Sequence, residues 1–414
     1  MSRLVTSLSP NAERDDIRLA ASLLLQPWKW QTGPAITDLE QALGHFFHTQ
    51  AITFESGRSA LTAAIHALNL PKNSEIILQA FTCVAVPNSI RWADCIPIYA
   101  DVDPNTFTID PSAIETLITP NTRAILIQHT FGIPAHMDTL IELARKHKLL
   151  VIEDCAHSFG SRWNGQLLGT FGDVAIFSFG RDKSLSSIFG GVALTRDISL
   201  ANRLRSQQTQ APISTKHWVL QQLLHPLTLA LSLKTYDTLS FGKIILEVSK
   251  RLHLISKAVE PQERQGTRPT WTGRRLPNAL ALLALHQWKK RERFDAHRRT
   301  LTRIYQQELK HPDIIHPNWA KEADPALLRY PIRTPKRDIL FKAATSAKMQ
   351  LGDWYTSPLA PEGTNEQAAH YDRTQTPNAV TLSKDTLNLP THINISKSGA
   401  KKICTLIKTT LNQT

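Results

Sequence analysis

Two side chains able to do chemistry follow separate apolar runs near the middle of the sequence. Asp154 closely follows the run Leu149 to Ile152, and Lys183 lies a few residues after the run Val174 to Phe177. Short β-branched runs that alternate with helix-like segments predict a parallel sheet, whose strands end at one common edge. We therefore expect the carboxylate and the amine to face one bound ligand.

The surroundings of Lys183 favour an uncharged amine. Burial and the positive charge of nearby Arg181 would both lower the pKa of this lysine. A neutral amine is the form that attacks an aldehyde to make a Schiff base. A lone loop lysine is more commonly a solvated charge, so this interpretation depends on what other groups accompany it.

A turn suited to an anion precedes a predicted helix. Ser56-Gly57-Arg58-Ser59 stands directly before the helix predicted from Ser59 to Leu68, where free backbone N–H groups and the helix dipole attract negative charge. The same turn also serves as an ordinary helix cap. An amine, a carboxylate and an anion site are three of the groups that hold pyridoxal phosphate; the fourth is a group on the face of its ring.

Taken together, these motifs resemble the sugar aminotransferases of the DegT/DnrJ/EryC1/StrS family, most strongly from about Gly33 to Asp197. The matching stretches are Trp30-Gln31-Thr32-Gly33-Pro34, residues 54–61, residues 98–103, residues 151–160, Gly172-Asp173 through Ser178-Phe179 to Lys183, and Gly190-Gly191. The resemblance implies the α/β fold of the fold-type-I transferases that depend on pyridoxal phosphate. In that fold a mostly parallel seven-stranded sheet is flanked by helices and accompanied by a smaller α+β domain.

The resemblance also implies a role for several residues. Lys183 would carry the cofactor and Asp154 would pair with its pyridine nitrogen, which makes these two the catalytic residues. His157 would contact the ring hydroxyl, and Ser178 would bind the phosphate together with the backbone of Gly57-Arg58. The expected cofactor-binding residues are Gly57, Arg58, Phe81, Asp154, His157, Ser178 and Lys183, and no metal is expected.

Three positions depart from the family pattern. Arg58 stands where threonine is common, and Phe189 replaces an acidic residue. The Asn-Tyr-Arg by which a partner subunit reaches the phosphate falls at Gly273-Arg274-Arg275, so we expect a guanidinium of Arg274, Arg275 or Arg58 to take its place.

The residue on the face of the cofactor ring is a choice between two. An ungapped comparison puts Cys83 at this position. Phe81 lies two residues earlier, on the same side of an extended chain. We favour Phe81.

We divide the chain into a large cofactor-binding domain over 1–205, with a return of the chain to about 290, and a small α+β domain over 291–414. Further helices are predicted at Asp110 to Leu117, at Met137 to His147 and at Lys397 to Leu411. The small domain also has a predicted strand at Leu328 to Ile332.

Residues 206–265 form an apolar and basic helical insertion, longer than the family usually has here. Polar residues interrupt its core, 216–258, so a membrane span is not expected. Two interpretations stay open: a helical insertion buried against the body or in a dimer contact, and an amphipathic helix lying on a membrane surface.

Composition limits the partners. A net charge of +13 and a sequence pI of about 9.6 favour anionic ligands, but no nucleic-acid-binding motif is present. Four cysteines without a CxxC pair and an N-terminus without an apolar signal region predict a cytoplasmic protein, with peripheral membrane contact through 216–258 left open.

The expected function is transfer of an amino group from glutamate to a nucleotide-linked keto-sugar, by a homodimer. Two alternatives remain: an aminotransferase acting on a lipid-linked or membrane-associated glycan, and a regulator that binds the cofactor without catalysis. Dehydratases of the same fold usually carry histidine at the cofactor-lysine position, so Lys183 argues for amino transfer.

Overall fold

A computed structural model describes residues 4–6, 11–236, 241–251 and 254–413. Its strands are β1 (Leu4–Val5), β2 (Gln50–Phe54), β3 (Glu75–Gln79), β4 (Thr82–Cys83), β5 (Ile96–Ala100), β6 (Thr122–Gln128), β7 (Leu150–Asp154), β8 (Arg162–Trp163), β9 (Gln166–Leu167), β10 (Val174–Ser178), β11 (Gly191–Thr195), β12 (Ala323–Asp324), β13 (Arg329–Arg333), β14 (Met349–Gln350), β15 (Leu359–Ala360) and β16 (Thr386–Pro390). Its α-helices are α1 (Arg14–Leu24), α2 (Ala35–Phe47), α3 (Gly57–Ala67), α4 (Ala85–Trp92), α5 (Met137–Lys146), α6 (Ile198–Gln210), α7 (Lys216–Thr235), α8 (Phe241–Arg251), α9 (Asn278–Trp288), α10 (Arg291–Glu308), α11 (Arg337–Ser346), α12 (Pro377–Asp385) and α13 (Lys397–Asn412).

Seven of the strands form one sheet, in the order β2-β11-β10-β7-β6-β3-β5. β5, β3, β6, β7 and β10 run parallel, and β11 is antiparallel to both of its neighbours. The predicted α/β fold with a mostly parallel seven-stranded sheet is therefore confirmed.

The sheet is buried on both faces. Ile76 and Leu78 of β3 pack into one hydrophobic core, whereas Ile77 packs into the other. Successive side chains of a strand point to opposite faces, so a strand covered by helices on both sides must be apolar throughout. This is why the continuous apolar runs of the sequence predict these strands well.

One predicted helix is wrong. The segment expected to be helical from Asp110 to Leu117 forms two short 3₁₀ turns, Pro111–Ala113 and Glu115–Leu117. The side chain of Asp110 caps the first turn by accepting from Ser112 N at 2.9 Å, and Ile118 before Thr119-Pro120 is already extended. The segment is too short between these breaks for an α-helix to propagate.

The C-terminal part combines a small antiparallel pair with helices. β13 pairs with β16, and α10 and α11 both pack on α13. The structure has the expected strand near Leu328 to Ile332 as β13 and the expected terminal helix as α13. The division of the chain into domains at 205 and 291 remains a prediction.

The predicted insertion contains α7 and α8, which pack on each other, and α7 also packs on α1. Within the described parts of the chain, no helix is long and apolar enough to cross a membrane.

Candidate active site

Asp154 and Lys183 line the same cavity of about 990 Å³. Asp154 is the last residue of β7, and β10 runs parallel beside it with Ile176 opposite Asp154. The chain continues from β10 into the loop that carries Lys183, whose backbone N–H donates to the Gly180 carbonyl at 3.0 Å. The structure thus brings both groups to one edge of the sheet, where ligands of open α/β folds bind.

Burial favours the uncharged form of the Lys183 amine. Loss of solvation lowers the pKa of its amine to about 8, while the charge of Asp154 opposes this shift and that of Arg329 adds to it. The expected desolvation is therefore present, but the like charge comes from Arg329. Arg181 turns away instead, donating to the Ser256 carbonyl at 2.9 Å with its guanidinium 5.5 Å from the Phe189 ring centroid.

Asp154 is a buried carboxyl group whose loss of solvation outweighs the nearby positive charge. Burial raises the pKa of Asp154, and a hydrogen bond from Ala156 N at 3.0 Å and the charge of Lys183 only partly offset this effect. A carboxylate in this setting is stabilised by a cationic group brought to it. A protonated ring nitrogen is such a group.

The neighbouring Glu153 belongs to the scaffold. Its carboxylate accepts backbone N–H groups from Gly169, Phe171 and Gly172 at 2.7 to 2.8 Å. It also lies 3.4 Å from Nε2 of the buried His129. Glu153 therefore holds the loop after β9 against the end of β7 and so fixes the strand end that carries Asp154.

The start of α3 is a candidate anion site that lines the same cavity. α3 begins at Gly57, and Ser56 caps it by accepting from Ser59 N at 3.2 Å. Ser178 lies close to Gly57. A Cβ on Gly57 would lie 2.9 Å from Ser178 Cβ, so this close approach requires glycine. Free N–H groups at the start of a helix together with a hydroxyl suit a phosphate.

The Arg58 guanidinium lines the cavity but already has partners. It forms an ion pair with the buried Glu263 and donates to the Ala258 carbonyl at 2.6 Å. It also lies 5.2 Å from the Trp271 ring centroid. Its backbone is part of the anion site, whereas its side chain ties that site to the segment after α8.

Arg274 and Arg275 bond within their own chain. Arg274 donates to the Ile213 carbonyl at 3.1 Å, and Arg275 donates to the Ala211 carbonyl at 3.0 Å. Neither is among the cavity-lining residues. Their expected contact with a phosphate in a partner subunit stays a prediction, since a single chain does not test it.

The choice of Phe81 as the ring-facing residue does not fit the structure. Phe81 is fully buried, with its ring 5.4 Å from that of Tyr355, and it does not line the cavity, whereas Cys83 does. Phe81 shares a side with Cys83 only in an extended chain, but Phe81 has φ of 60°. This left-handed residue turns the backbone, so the alternation of sides between residues 81 and 83 is lost.

His157 is held as a neutral acceptor at one nitrogen. Its Nδ1 accepts from Phe131 N at 3.2 Å, which leaves the proton on Nε2, and burial keeps the pKa of His157 well below its usual value. Its ring stacks on Trp354 at 5.2 Å. It lines the same cavity as Asp154. Its Nε2–H is therefore available to a ring hydroxyl of a bound ligand.

Sequence reasoning missed Trp354 and Tyr355. Both line the cavity, and Nζ of Lys183 lies 5.1 Å from the Trp354 ring centroid. The Arg329 guanidinium lies 3.6 Å from the same centroid. These aromatic residues are far from Lys183 in sequence, so only the adjacent Trp-Tyr pair itself could have drawn attention to them.

Glu55 is a third residue whose role sequence reasoning missed. It is fully buried and accepts from Arg274 N at 2.9 Å, Gly273 N at 3.1 Å and the hydroxyls of Ser56 and Ser59. Burial raises its pKa to about 7. Glu55 therefore links the 273–274 backbone to the turn that starts α3.

The insertion contributes to the wall of the cavity. His225, Leu229 and Leu233 of α7 line it, as do Ile255 and Val259 after α8. α7 is thus packed against the body on one side while part of it faces the site, which extends the first interpretation of this segment.

The sequence and the fold of this chain are both similar to those of known aminotransferases. A model of the DegT/DnrJ/EryC1/StrS aminotransferase family matches residues 11–224 and 244–408. The chain is 37% identical over 177 residues to the GDP-perosamine synthase of Escherichia coli O157:H7, covering 42% of this chain and 49% of that protein. The chain thus spans about half the length of the curated relatives it matches.

Two solved structures share the fold. DesV of S. venezuelae, in complex with a ketimine intermediate, superposes with a TM-score of 0.76 at 23% identity, covering 99% of this chain and 98% of DesV. NtdA of Bacillus subtilis, with bound cofactor PMP, superposes with a TM-score of 0.73 at 21% identity, covering 100% of this chain and 86% of NtdA.

Proposed function

Since the chain belongs to the DegT/DnrJ/EryC1/StrS aminotransferase family, we propose that it is an aminotransferase dependent on pyridoxal phosphate. It moves an amino group from glutamate to the keto group of a nucleotide-linked sugar, for cell-surface polysaccharide or secondary-metabolite sugars. The observation that carries the proposal is the placement of Asp154 and Lys183 in one cavity with the start of α3. The similarity to GDP-perosamine synthase supports a nucleotide-linked acceptor.

The residues present fit the cofactor. The cradle formed by Gly57 and Ser178, which a Cβ at residue 57 would fill, suits the phosphate. Asp154, whose pKa burial raises despite the nearby positive charge, suits the pyridine nitrogen. Nζ of Lys183, with its lowered pKa, suits the aldehyde.

The protein groups then have separate tasks. The bound cofactor supplies an electron-withdrawing ring and a carbon that takes up and hands on the amino group. Asp154 would keep the ring nitrogen protonated, and His157 would orient the ring through its hydroxyl. Lys183 would hold the cofactor through Nζ, and its free amine would hold and move a proton at Nζ.

Assembly and location belong to the same proposal. The family resemblance supports a homodimer in which Arg274 or Arg275 reaches the partner's site. The use of a nucleotide sugar and four free thiols support a cytoplasmic location.

An absorption spectrum tests the proposal. Purified protein with pyridoxal phosphate should show a visible band that Lys183→Ala lacks, and glutamate should shift that band in the wild type alone. Nucleotide keto-sugars added afterwards should restore it. Absence of a band dependent on Lys183 would overturn the proposal.

A second candidate keeps the cofactor and changes the acceptor to a lipid-linked glycan. The aliphatic side chains of Leu229, Leu233 and Ile255 in the cavity wall favour it, because they suit an apolar group better than a nucleotide. Restoration of the cofactor band by lipid-linked keto-sugars, and by none of the nucleotide-linked ones, would select it.

The alternative of a regulator without catalysis makes a different prediction. Such a protein would show the Lys183-dependent band but no change with any amino donor. The engaged Arg58 side chain and Cys83 in place of an aromatic residue are the features that favour it.

A further inference from the structure

The helix α8 exposes its large apolar side chains. Phe241, Ile244 and Val248 are 59%, 54% and 45% exposed, and their spacing of three and four residues places them on one side of the helix. Of the eleven large hydrophobic side chains exposed among the described residues, five lie within 231–254, the others here being Leu231 and Leu254. Exposed apolar surface is therefore concentrated in this segment.

Another side of α8 packs on the protein and approaches α7 closely at Gly242. Gly242 and Ser249, seven residues apart and so on one side, are both buried. A Cβ on Gly242 would overlap the Ser232 carbonyl oxygen, so glycine is needed for this close contact. The helix thus turns Gly242, Ser249 and the half-buried Ile245 toward the protein and three large apolar side chains away from it, whereas an ordinary surface helix exposes polar residues.

Charge distinguishes between possible partners for this face. The sequence of 216–258 has six lysine and arginine residues against two acidic residues. Arg251, near the end of the stripe, has a side chain that is 78% exposed and forms an exposed ion pair with Glu247 of the same helix at 3.2 Å. Two copies of the segment in contact would bring like charges together. A surface of anionic lipid headgroups complements both the charge and the apolar stripe.

We infer that α8, with the adjoining end of α7, docks this protein on anionic lipid bilayers by burying Phe241, Ile244 and Val248 among the headgroups. Docking does not rest on the proposed reaction. It brings the apolar cavity wall formed by Leu229 and Leu233 of α7 near the membrane surface.

Sedimentation with vesicles tests the inference. The wild type should pellet with vesicles of phosphatidylcholine and phosphatidylglycerol and remain in the supernatant with phosphatidylcholine alone. Added salt should release it, because salt screens the attraction between exposed charges. Replacing Phe241, Ile244 and Val248 by serine should lower the bound fraction about ten-fold.

A matched variant controls for the general loss of apolar surface. Serine at Ile198, Ile315 and Ile339, which are exposed but lie outside the segment, should leave vesicle binding unchanged.

Arg251→Glu should weaken binding without removing any large apolar side chain, which covers the case in which the triple serine variant fails to fold. Lys183→Ala should bind as the wild type does, so that failure of docking and failure of the proposed reaction are separable.

Two results would overturn the inference. One is wild-type protein that does not pellet with anionic vesicles. The other is a triple serine variant that loses a wild-type oligomer in analytical ultracentrifugation while its vesicle binding stays at the wild-type level, because a second copy would then cover this face.

Discussion

At the scale of single residues, the ionisation of the Lys183 amine is a measurable quantity. With its pKa lowered by burial to about 8, about a quarter of the amine is neutral at pH about 7.5, against roughly a thousandth for an ordinary lysine. Only the neutral amine attacks an aldehyde, so capture of pyridoxal phosphate by the cofactor-free protein should speed up as pH rises through about 8. Stopped-flow absorbance across this pH range measures it, and a midpoint near 10 would contradict the lowered pKa.

Asp154 should matter through its charge. Asp154→Asn keeps the shape of the side chain but no longer holds a proton on the ring nitrogen, so turnover should fall on the order of a hundred-fold. Asp353→Asn is the matched control, because Asp353 lines the same cavity but is exposed. Steady-state rates of both variants check this; equal losses would mean that Asp154 has no special role.

Sequence reasoning predicted residue positions well where a strand end determines them. Asp154 and Ser178 end β7 and β10, so the strand pattern alone places them at one edge. Phe81 was misplaced because its positive φ depends on the local turn and leaves no trace in the hydrophobic pattern. The aromatic cluster that buries it is formed by residues distant in sequence.

At the scale of elements, the contact between α3 and β10 depends on the absence of a Cβ at Gly57. Gly57→Ala would push a methyl group to 2.9 Å from Ser178 Cβ, shifting the start of α3 from the Ser178 hydroxyl. We expect affinity for pyridoxal phosphate to fall about ten-fold, measured by fluorescence titration. Helix propensity itself favours alanine, so the folded state should not lose its helix.

Gly180→Ala provides the comparison for this prediction. Its Cβ would lie 3.3 Å from the Ser178 hydroxyl, a contact that a small adjustment relieves. A loss of affinity as large as that of Gly57→Ala would show that the loop after β10, rather than the helix start, sets the phosphate site.

The elements themselves were predictable in proportion to how continuous their apolar pattern is. Strands buried on both faces, such as β3 and β6, give unbroken apolar runs that identify them. The segment from Asp110 to Leu117 has the composition of a helix but is divided into short turns. Pro111 suits the start of the first turn, but the backbone is already extended at Ile118, ahead of Thr119-Pro120, which leaves little length for an α-helix. Local breaks of this kind outweigh composition.

At the scale of the whole molecule, the sequence could not predict which residues line the cavity. Leu229 of α7 and Trp354 face the same cavity as Lys183, although they lie 46 and 171 residues beyond it in the chain. Periodicity assigns each to an element but carries no information on which distant elements meet. For this reason the sequence left two interpretations of 216–258 open: packing against the body or in a dimer contact, and contact with a membrane surface.

A mixing experiment tests the expected sharing of sites between subunits. If Arg274 or Arg275 serves the partner's phosphate, both Lys183→Ala and the double variant Arg274→Ala/Arg275→Ala should be poorly active alone. In a mixed dimer, one of the two sites has Lys183 from one subunit and the arginines from the other. Random exchange makes half of the dimers mixed, so activity should recover to about a quarter of the wild-type value.

Recovery in this experiment has one physical cause, because neither parent protein contains an intact site. If the arginines act only within their own chain, as their bonds to the Ile213 and Ala211 carbonyls allow, every site in the mixed dimer lacks either the lysine or the arginines, and activity stays at the level of the parents. A double variant with full activity of its own would instead mean that Ser178 and the start of α3 hold the phosphate without these arginines. Activity of the mixture, measured beside its mass in solution, therefore decides whether the site is shared.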